Sequence, residues 1–435
     1  PSGPTILELF TYPMSHGGVP SLWPYRIRDT LPLMRRIEIL SRAFKIAPHP
    51  VLAEALQDGP FARVKVPLFG PLPAALTHES VQTVLKRSET FAVDARNAGH
   101  NKAFGLPFIP KSLRLLSENI LSLDDPDHQR LRRLADAPFR RAAIEMQRDR
   151  VGKLVDHYLD QVAARGTPEI DLAEMVFRPL PLRVISELLG LTESAKARLT
   201  ETMSGFSSAS STWGILRAIS GMGGVIKQLR EEIERARKDP RPGLLSELIQ
   251  AEADGDKVSE DELVSLVLVL FVAGHDTTTN LLSSGLYTLQ TEPGAWQTAR
   301  ELDEDGWRIA VDELMRFAMP VHMTKPRFII EDTEIAGVPF KRGDKTIALL
   351  GAANLDPAEF DAPLTLDLFR RPNRHTGWGG GPHICLGLHL AKMEAELTLS
   401  KIAERWPNLA LGDGLKWSKR IGTRGLDAMP VRLAG

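Results

Sequence analysis

The segment that opens at Ser259-Glu260-Asp261-Glu262 and runs to about Gln290 limits the possible folds more than any other part of the chain. Ser259 and Glu262 have the spacing of a capping box, in which each side chain accepts a hydrogen bond from the other residue's backbone N–H, so the start of a helix is fixed there. Roughly 30 residues at about 1.5 Å each make a rod on the order of 45 Å, enough to cross a whole domain. Its first half is apolar on every side, and such a helix has to be buried by other helices. The middle reads Ala273-Gly274-His275-Asp276-Thr277-Thr278-Thr279-Asn280. Small, polar and β-branched residues at the centre of a buried helix cost helix propensity and desolvation, and that conflict marks a functional stretch.

The rest of the chain is organised around this rod. Residues 63 to 77 have the pattern of short strands around a turn, followed by Thr77-His78-Glu79-Ser80 as a helix cap. A second strand-like zone, Arg327 to Leu350, is split by the turn signals Ala336-Gly337-Val338-Pro339 and Lys341-Arg342-Gly343-Asp344. Helical periodicity dominates between them, over about 127 to 320. The expected fold is mainly α with a minor β-sheet supplied from both ends of the chain. With no linker or repeat at which to cut, a single domain over 1–435 is expected, residues 1–49 being an N-terminal extension and first helix and 50–435 the core.

Composition removes several classes of function. With 43% hydrophobic and 25% charged residues and a net charge of -1, nothing points to nucleic acid. The longest apolar run, Leu263 to Ala273, falls short of the roughly 18 residues of a membrane span. Pro1 to Gly18 has no cleavable-signal pattern, and a single cysteine suits a reducing interior, so a cytoplasmic location is expected.

That cysteine, Cys385, lies in Gly377-Trp378-Gly379-Gly380-Gly381-Pro382-His383-Ile384-Cys385-Leu386-Gly387, directly before the helical Leu388–Glu396. One thiol cannot form an intrachain disulfide or a multi-cysteine metal site. Haem iron fits the arithmetic, because the porphyrin gives four nitrogens and the protein one axial ligand. The glycines would allow close approach and aim N–H groups at sulfur, and the helix dipole favours thiolate. A buried structural cysteine is the bland alternative. A cysteine nucleophile is weaker still, because no second histidine is placed as its base.

The cysteine loop, the Ala-Gly-His-Asp-Thr-Thr break and Glu313-Leu314-Met315-Arg316, taken in this order, resemble the cytochrome P-450 superfamily of haem-thiolate monooxygenases, soluble bacterial type. Glu-x-x-Arg alone says little, since Glu145/Arg148, Glu232/Arg235 and Glu234/Arg237 repeat it, where exposed helical ion pairs are expected. The resemblance implies haem b held by Cys385 as the iron ligand, with Gly387 in the same loop. Trp378, where the family usually has phenylalanine, would shield the sulfur and add an indole N–H that modestly shifts the redox potential. His128 and Arg132, four apart on one helical face, with Arg327 and His383, would hold the haem propionates. Asp276 and Thr277 match the family's acid-alcohol pair, which delivers protons to dioxygen, with Ala273 and Gly274 leaving room for it. Thr277 also has a structural reading, its hydroxyl bonding the preceding turn. Thr365 stands where many relatives carry an arginine that completes a network with Glu313 and Arg316, and Asn373, Arg374 or His375 are the expected substitutes.

The same resemblance places the substrate among Phe104, Leu106, Phe108, Ile109, Phe206, Trp213, Val269, Val272, Ala273, Pro320, Val321, Met323 and Ile421. This apolar set suits a small-to-medium hydrophobic molecule, with Arg96, Lys102 and Lys111 available for a carboxylate. It further implies hydroxylation or O/N-dealkylation by a monomer that takes electrons from a ferredoxin and an NAD(P)H-linked ferredoxin reductase. Arg130, Arg133, Arg140 and Arg141 would steer that acidic partner, or form a solvated helix face. A peroxide-driven peroxygenase is disfavoured by the presence of Asp276 and Thr277. A haem-thiolate sensor or electron carrier is disfavoured by the roomy apolar pocket beside them.

Overall fold

The computed structural model describes residues 34–67, 69–100, 118–207, 212–253 and 258–433, with side chains at 201–222 and 252–253 left undescribed. Phe104, Leu106, Phe108, Ile109, Lys102 and Lys111 lie outside the described residues, as do the side chains of Phe206 and Trp213.

Helices dominate, and seven of them frame the site: α1 (His78–Lys86), α2 (Asp127–Asp136), α3 (Arg148–Ala164), α4 (Pro179–Leu189), α5 (Glu260–Thr291), α6 (Glu304–Ala318) and α7 (Leu388–Arg405). The expected capping box starts α5, with Ser259 N donating to Glu262 Oε2 at 2.8 Å and Glu262 N to Ser259 Oγ at 3.3 Å. By length and composition α5 could cross a membrane, but α4, α6 and α7 pack around it and Leu263 to Phe271 are buried in the main core. Its apolar surface is therefore covered within the protein itself.

The principal sheet draws strands from both ends of the chain, as expected, in the order Arg36–Ile37, Phe61–Val66, Gly70–Ala75, Lys345–Ala348, Arg327–Ile329, Phe91–Ala92. Phe61 pairs Ala75 antiparallel, Ala74 pairs Ile347 in parallel, and Arg327 pairs Thr346 antiparallel. Ile37, Ile39 and Phe44 are buried in the core beneath this sheet. The two ends are also knotted together by buried charge. Lys45 Nζ donates to the carbonyls of Arg420 (2.8 Å) and Thr423, while Arg424 donates back to the carbonyls of Lys45 (2.8 Å) and Ile46 (3.1 Å). The Arg424 guanidinium stacks 4.4 Å over Trp417, so neither cation is left bare.

Two of the repeated Glu-x-x-Arg pairs differ from the exposed ion pairs expected of them. Glu232 is buried and accepts from Thr192 N (2.8 Å) and Thr192 Oγ1 (3.0 Å), capping the helix Glu193–Ser207 from a distance. Arg148 reaches past Glu145 to the buried Glu396, at 2.8 Å. Tertiary partners recruited both.

On α7, Glu394 is buried with Oε2 unpaired, and burial pushes its carboxyl up to about 8. A folded value above the ordinary carboxylate range is a contribution complete below about pH 4.5 and lost as pH rises through 8. Glu394→Gln is therefore expected to match wild type in thermal midpoint near pH 5 and to exceed it increasingly toward pH 8.5. Parallel midpoint-pH profiles would show that Glu394 is not held neutral.

Candidate functional site

Along α5 the burial pattern breaks once in the middle. Val272 through Thr277 are half-buried, between runs that are buried on both sides. Most of the polar run nonetheless has a packing explanation. Thr278 Oγ1 donates to Gly274 O (3.1 Å), and Thr279 Oγ1 to Phe177 O (2.8 Å), a carbonyl in the π-helical turn Ala173–Phe177 just ahead of α4. Gly274 is also required by packing, because a Cβ there would lie 2.8 Å from Ile185 Cγ1 of α4. Thr277 Oγ1 donates to Ala273 O at 2.6 Å, which is its structural reading, and keeps its lone pairs as acceptors.

Asp276 is held by basic side chains. Arg420 Nη1 donates to its Oδ1 at 2.9 Å and His275 Nε2 lies 3.2 Å from the same oxygen. His275 Nδ1 faces Phe271 O at 2.9 Å, so both ring nitrogens meet oxygen atoms. Burial works to raise the Asp276 carboxyl, but the His275 bond and the charges of His275, Arg420 and Arg178 outweigh it and leave it lowered. Sequence reasoning missed Arg420, because it comes from the C-terminal turn.

Cys385 is half-buried, just ahead of α7. Burial raises its thiol, opposed by the Gly387 N–H bond to sulfur and by the charge of Arg132. Cys385 N donates to Trp378 O at 2.9 Å, closing the loop. Of the loop glycines, only Gly387 has its N–H on the sulfur, whereas Gly377 and Gly381 are required by neighbours. A Cβ at Gly381, where φ is +62°, would meet Leu85 O of α1 at 2.3 Å, and one at Gly377 would meet Met315 Cγ at 2.5 Å. Arg132 Nη1 clamps the loop through Ile384 O (2.7 Å) and Pro382 O (3.3 Å).

Beside the loop the basic residues gather. The His128 and His383 rings stack at 4.1 Å, and His128 Nδ1 lies 3.2 Å from Asp125 Oδ1. Burial first, then Arg327, His128, Arg132 and Lys325, pushes His383 down to about 2. Arg327 is buried with Nε unpartnered, and burial lowers it to about 10 against the pull of Asp124. Among the described residues, no group of three or more His, Cys, Asp or Glu side chains is placed to hold a metal ion.

Residues 217–303 and 308–407 match the Cytochrome P450 family. Polyketide biosynthesis cytochrome P450 PksS of Bacillus subtilis is 31% identical over 406 residues, covering 90% of this chain and 97% of that protein. The chain belongs to the cytochrome P450 family. The P450 monooxygenase PikC of Streptomyces venezuelae is also 31% identical, covering 90% of this chain and 92% of its own. The crystal structure of a myxobacterial P450, CYP267B1, in complex with myristic acid has a TM-score of 0.83 at 31% identity, covering 91% of this chain and 99% of that one.

P450s bind haem b, and the residues fit it. A half-buried cysteine lies in a loop fixed by its neighbours. Arg327 Nε, in the basic cluster, and Trp378 Nε1, in the loop, are buried donors without partners, and an unpaired buried guanidinium N–H suits a porphyrin carboxylate.

The network around Glu313 differs from the P450 pattern. Arg316 and Glu313 are fully buried and bidentate, at 2.7 and 2.8 Å. The guanidinium expected from relatives at residue 365 comes from Arg370, whose Nε lies 3.2 Å from Glu313 Oε2, helped by Asn373 Nδ2 at 3.1 Å. Thr365 contributes only its carbonyl, to Arg316 Nη2 at 3.0 Å. Arg374 and His375 do not substitute, since they pair with Glu359 and Asp312.

The apolar candidates fall on two sides. Val269 and Val272 belong to the helical core with Ala273 beside them, while Met323 and Ile421 pack in the cluster under the sheet. Segments 320–323 and 421–424 run together, with His322 N to Gly422 O at 3.0 Å and Val321 bridging Thr423. Arg96 is committed to Asp94 (2.5 Å) and Glu118 (3.5 Å). On α2 Arg130 is tied to Glu262 of α5 rather than offered to a partner, whereas Arg133, Arg140 and Arg141 are exposed.

Proposed function

We propose that this P450 monooxygenase hydroxylates or O/N-dealkylates a small-to-medium hydrophobic molecule, as a cytoplasmic monomer supplied with electrons by a ferredoxin and an NAD(P)H-linked reductase. The observation that carries the reading is the pairing of a half-buried Asp276 and Thr277 in the one open stretch of α5 with the cysteine loop and its basic cluster. The apolar residues Val269, Val272, Ala273, Val321, Met323 and Ile421 support a hydrophobic substrate, as do relatives named for polyketide biosynthesis.

Cys385 would be the iron ligand, and His128, Arg132, Arg327 and His383 would face the propionates. Haem, when bound, supplies the activation of dioxygen. The chain's own part is to favour thiolate through Gly387 N–H against the effect of burial, to hold the loop through Arg132, and to move protons. Asp276, ionised between His275 and Arg420, takes up a proton once it parts from Arg420. Thr277, whose own hydrogen is given to Ala273 O, accepts from the incoming donor and holds it in line.

Thr277→Ala is expected to lower product formed per NADH roughly tenfold, with NADH still consumed, and Thr277→Ser to restore most of it. Unchanged coupling in Thr277→Ala would remove Thr277 from proton delivery.

A further inference from the structure

Lys325 lies between α6 and the strand that begins at Arg327, and nothing so far gives it a task. Its side chain is exposed, yet burial pushes its ammonium down to about 8, with Arg327 adding to the effect. The side chain keeps accessible surface although protein surrounds it closely. Among the described residues its only partner is a neutral hydroxyl, Ser122 Oγ, at 3.3 Å.

Among the described residues, the other desolvated lysines are satisfied. Lys45 has two carbonyls, and Lys345 sits 5.4 and 5.5 Å from the rings of Phe69 and Phe328. Nearby carboxylates are spoken for. Asp124 accepts from Val93 N (2.9 Å), Asp94 N (3.0 Å) and Asn97 Nδ2 (2.8 Å), and Asp125 lies against His128. A desolvated ammonium with one serine hydroxyl lacks a counter-charge.

The position of Lys325 indicates where that counter-charge comes from. Its field reaches both Arg327 and His383, so it stands at the edge of the basic cluster. Arg132 and Arg327 already match the two carboxylates of a porphyrin in number. Lys325 is one positive charge more than that pairing uses.

We propose that Lys325 is a carboxylate anchor, its ammonium binding a carboxylate that enters beside Ser122. The inference rests on the P450 haem reading, and two sources share this chemistry: a haem propionate and the carboxylate of an acidic apolar substrate.

The test uses haem-loaded wild type, Lys325→Met and Lys325→Arg, each first required to show the far-red Soret band of the reduced carbon monoxide complex. Failure of wild type to show it overturns the haem-thiolate reading and this proposal with it. Two measurements follow: the rate of haem transfer to excess apomyoglobin, and spin-state titrations with tetradecanoic acid and with tetradecan-1-ol. Haem loss on the order of tenfold faster in Lys325→Met, restored in Lys325→Arg, identifies the propionate. Weaker binding of the acid on the order of tenfold, with the alcohol unchanged, identifies the substrate carboxylate. Haem loss and acid response both within about twofold of wild type overturn the anchor, and so does equal weakening for acid and alcohol at unchanged haem loss, which would assign Lys325 a merely structural role.

Discussion

Replacing Cys385 by serine is expected to abolish the far-red Soret band of the dithionite-reduced, carbon monoxide-treated protein and with it the monooxygenase turnover. The loop should survive the exchange, because its shape depends on groups other than the sulfur. Cys385 N is bonded to Trp378 O, Arg132 holds the carbonyls of Pro382 and Ile384, and Gly381 is pressed against Leu85 O. A serine oxygen keeps the place but not the polarizable electron push of thiolate, on which O–O cleavage at haem depends. Histidine ligation would give a different band, and His383, stacked on His128, is engaged elsewhere. A far-red band of equal strength in both proteins would show that Cys385 is not the ligand.

Glu313→Gln is expected to leave little folded protein. Glu313 accepts from Arg316, Arg370, Asn373 and the backbone N–H of Asp367 (2.9 Å), and it is wholly buried. Glutamine keeps the volume and removes the one negative charge, leaving the guanidiniums of Arg316 and Arg370 to face each other without compensation. Breaking a buried pair from one side costs about 3–5 kcal/mol, a large part of the about 5–15 kcal/mol that holds a domain together. Soluble yield and the calorimetric midpoint of the haem-loaded protein check this. A midpoint within a few degrees of wild type would mean that Arg316 and Arg370 rest on their carbonyl partners alone. Arg370→Met, which leaves the Glu313–Arg316 pair intact, should cost distinctly less.

What could be read from the sequence was what neighbours in sequence decide. The Ser259–Glu262 box, the Thr77 cap and the strands on either side of residues 67 to 69 are local arrangements, and they formed where the residues said they would. The cysteine loop was visible as a run of glycines, but the reason for most of them was not. Leu85 and Met315, which demand glycine at 381 and 377, are remote in sequence, and so is Ile185, which demands it at 274. The same limit hid Arg370, since nothing local singles out residue 370 as the guanidinium that meets Glu313. It hid the burial of Glu232 as well, because its partner Thr192 begins another helix. Arg420 and Lys325 escaped because a lone basic residue on a connecting segment looks solvated until the fold closes around it.

The reciprocal bonds between Lys45 and the turn at 420 to 424 set an order on the birth of the molecule. A ribosome extrudes residue 45 long before residue 424, and throughout that interval the lysine that will be sealed inside has no carbonyls to receive it. The segment around Lys45 therefore has to wait in water while the residues between it and Arg420 are made. Residues 420 to 424 then bring the carbonyls of Arg420 and Thr423, together with the guanidinium of Arg424, that let it close.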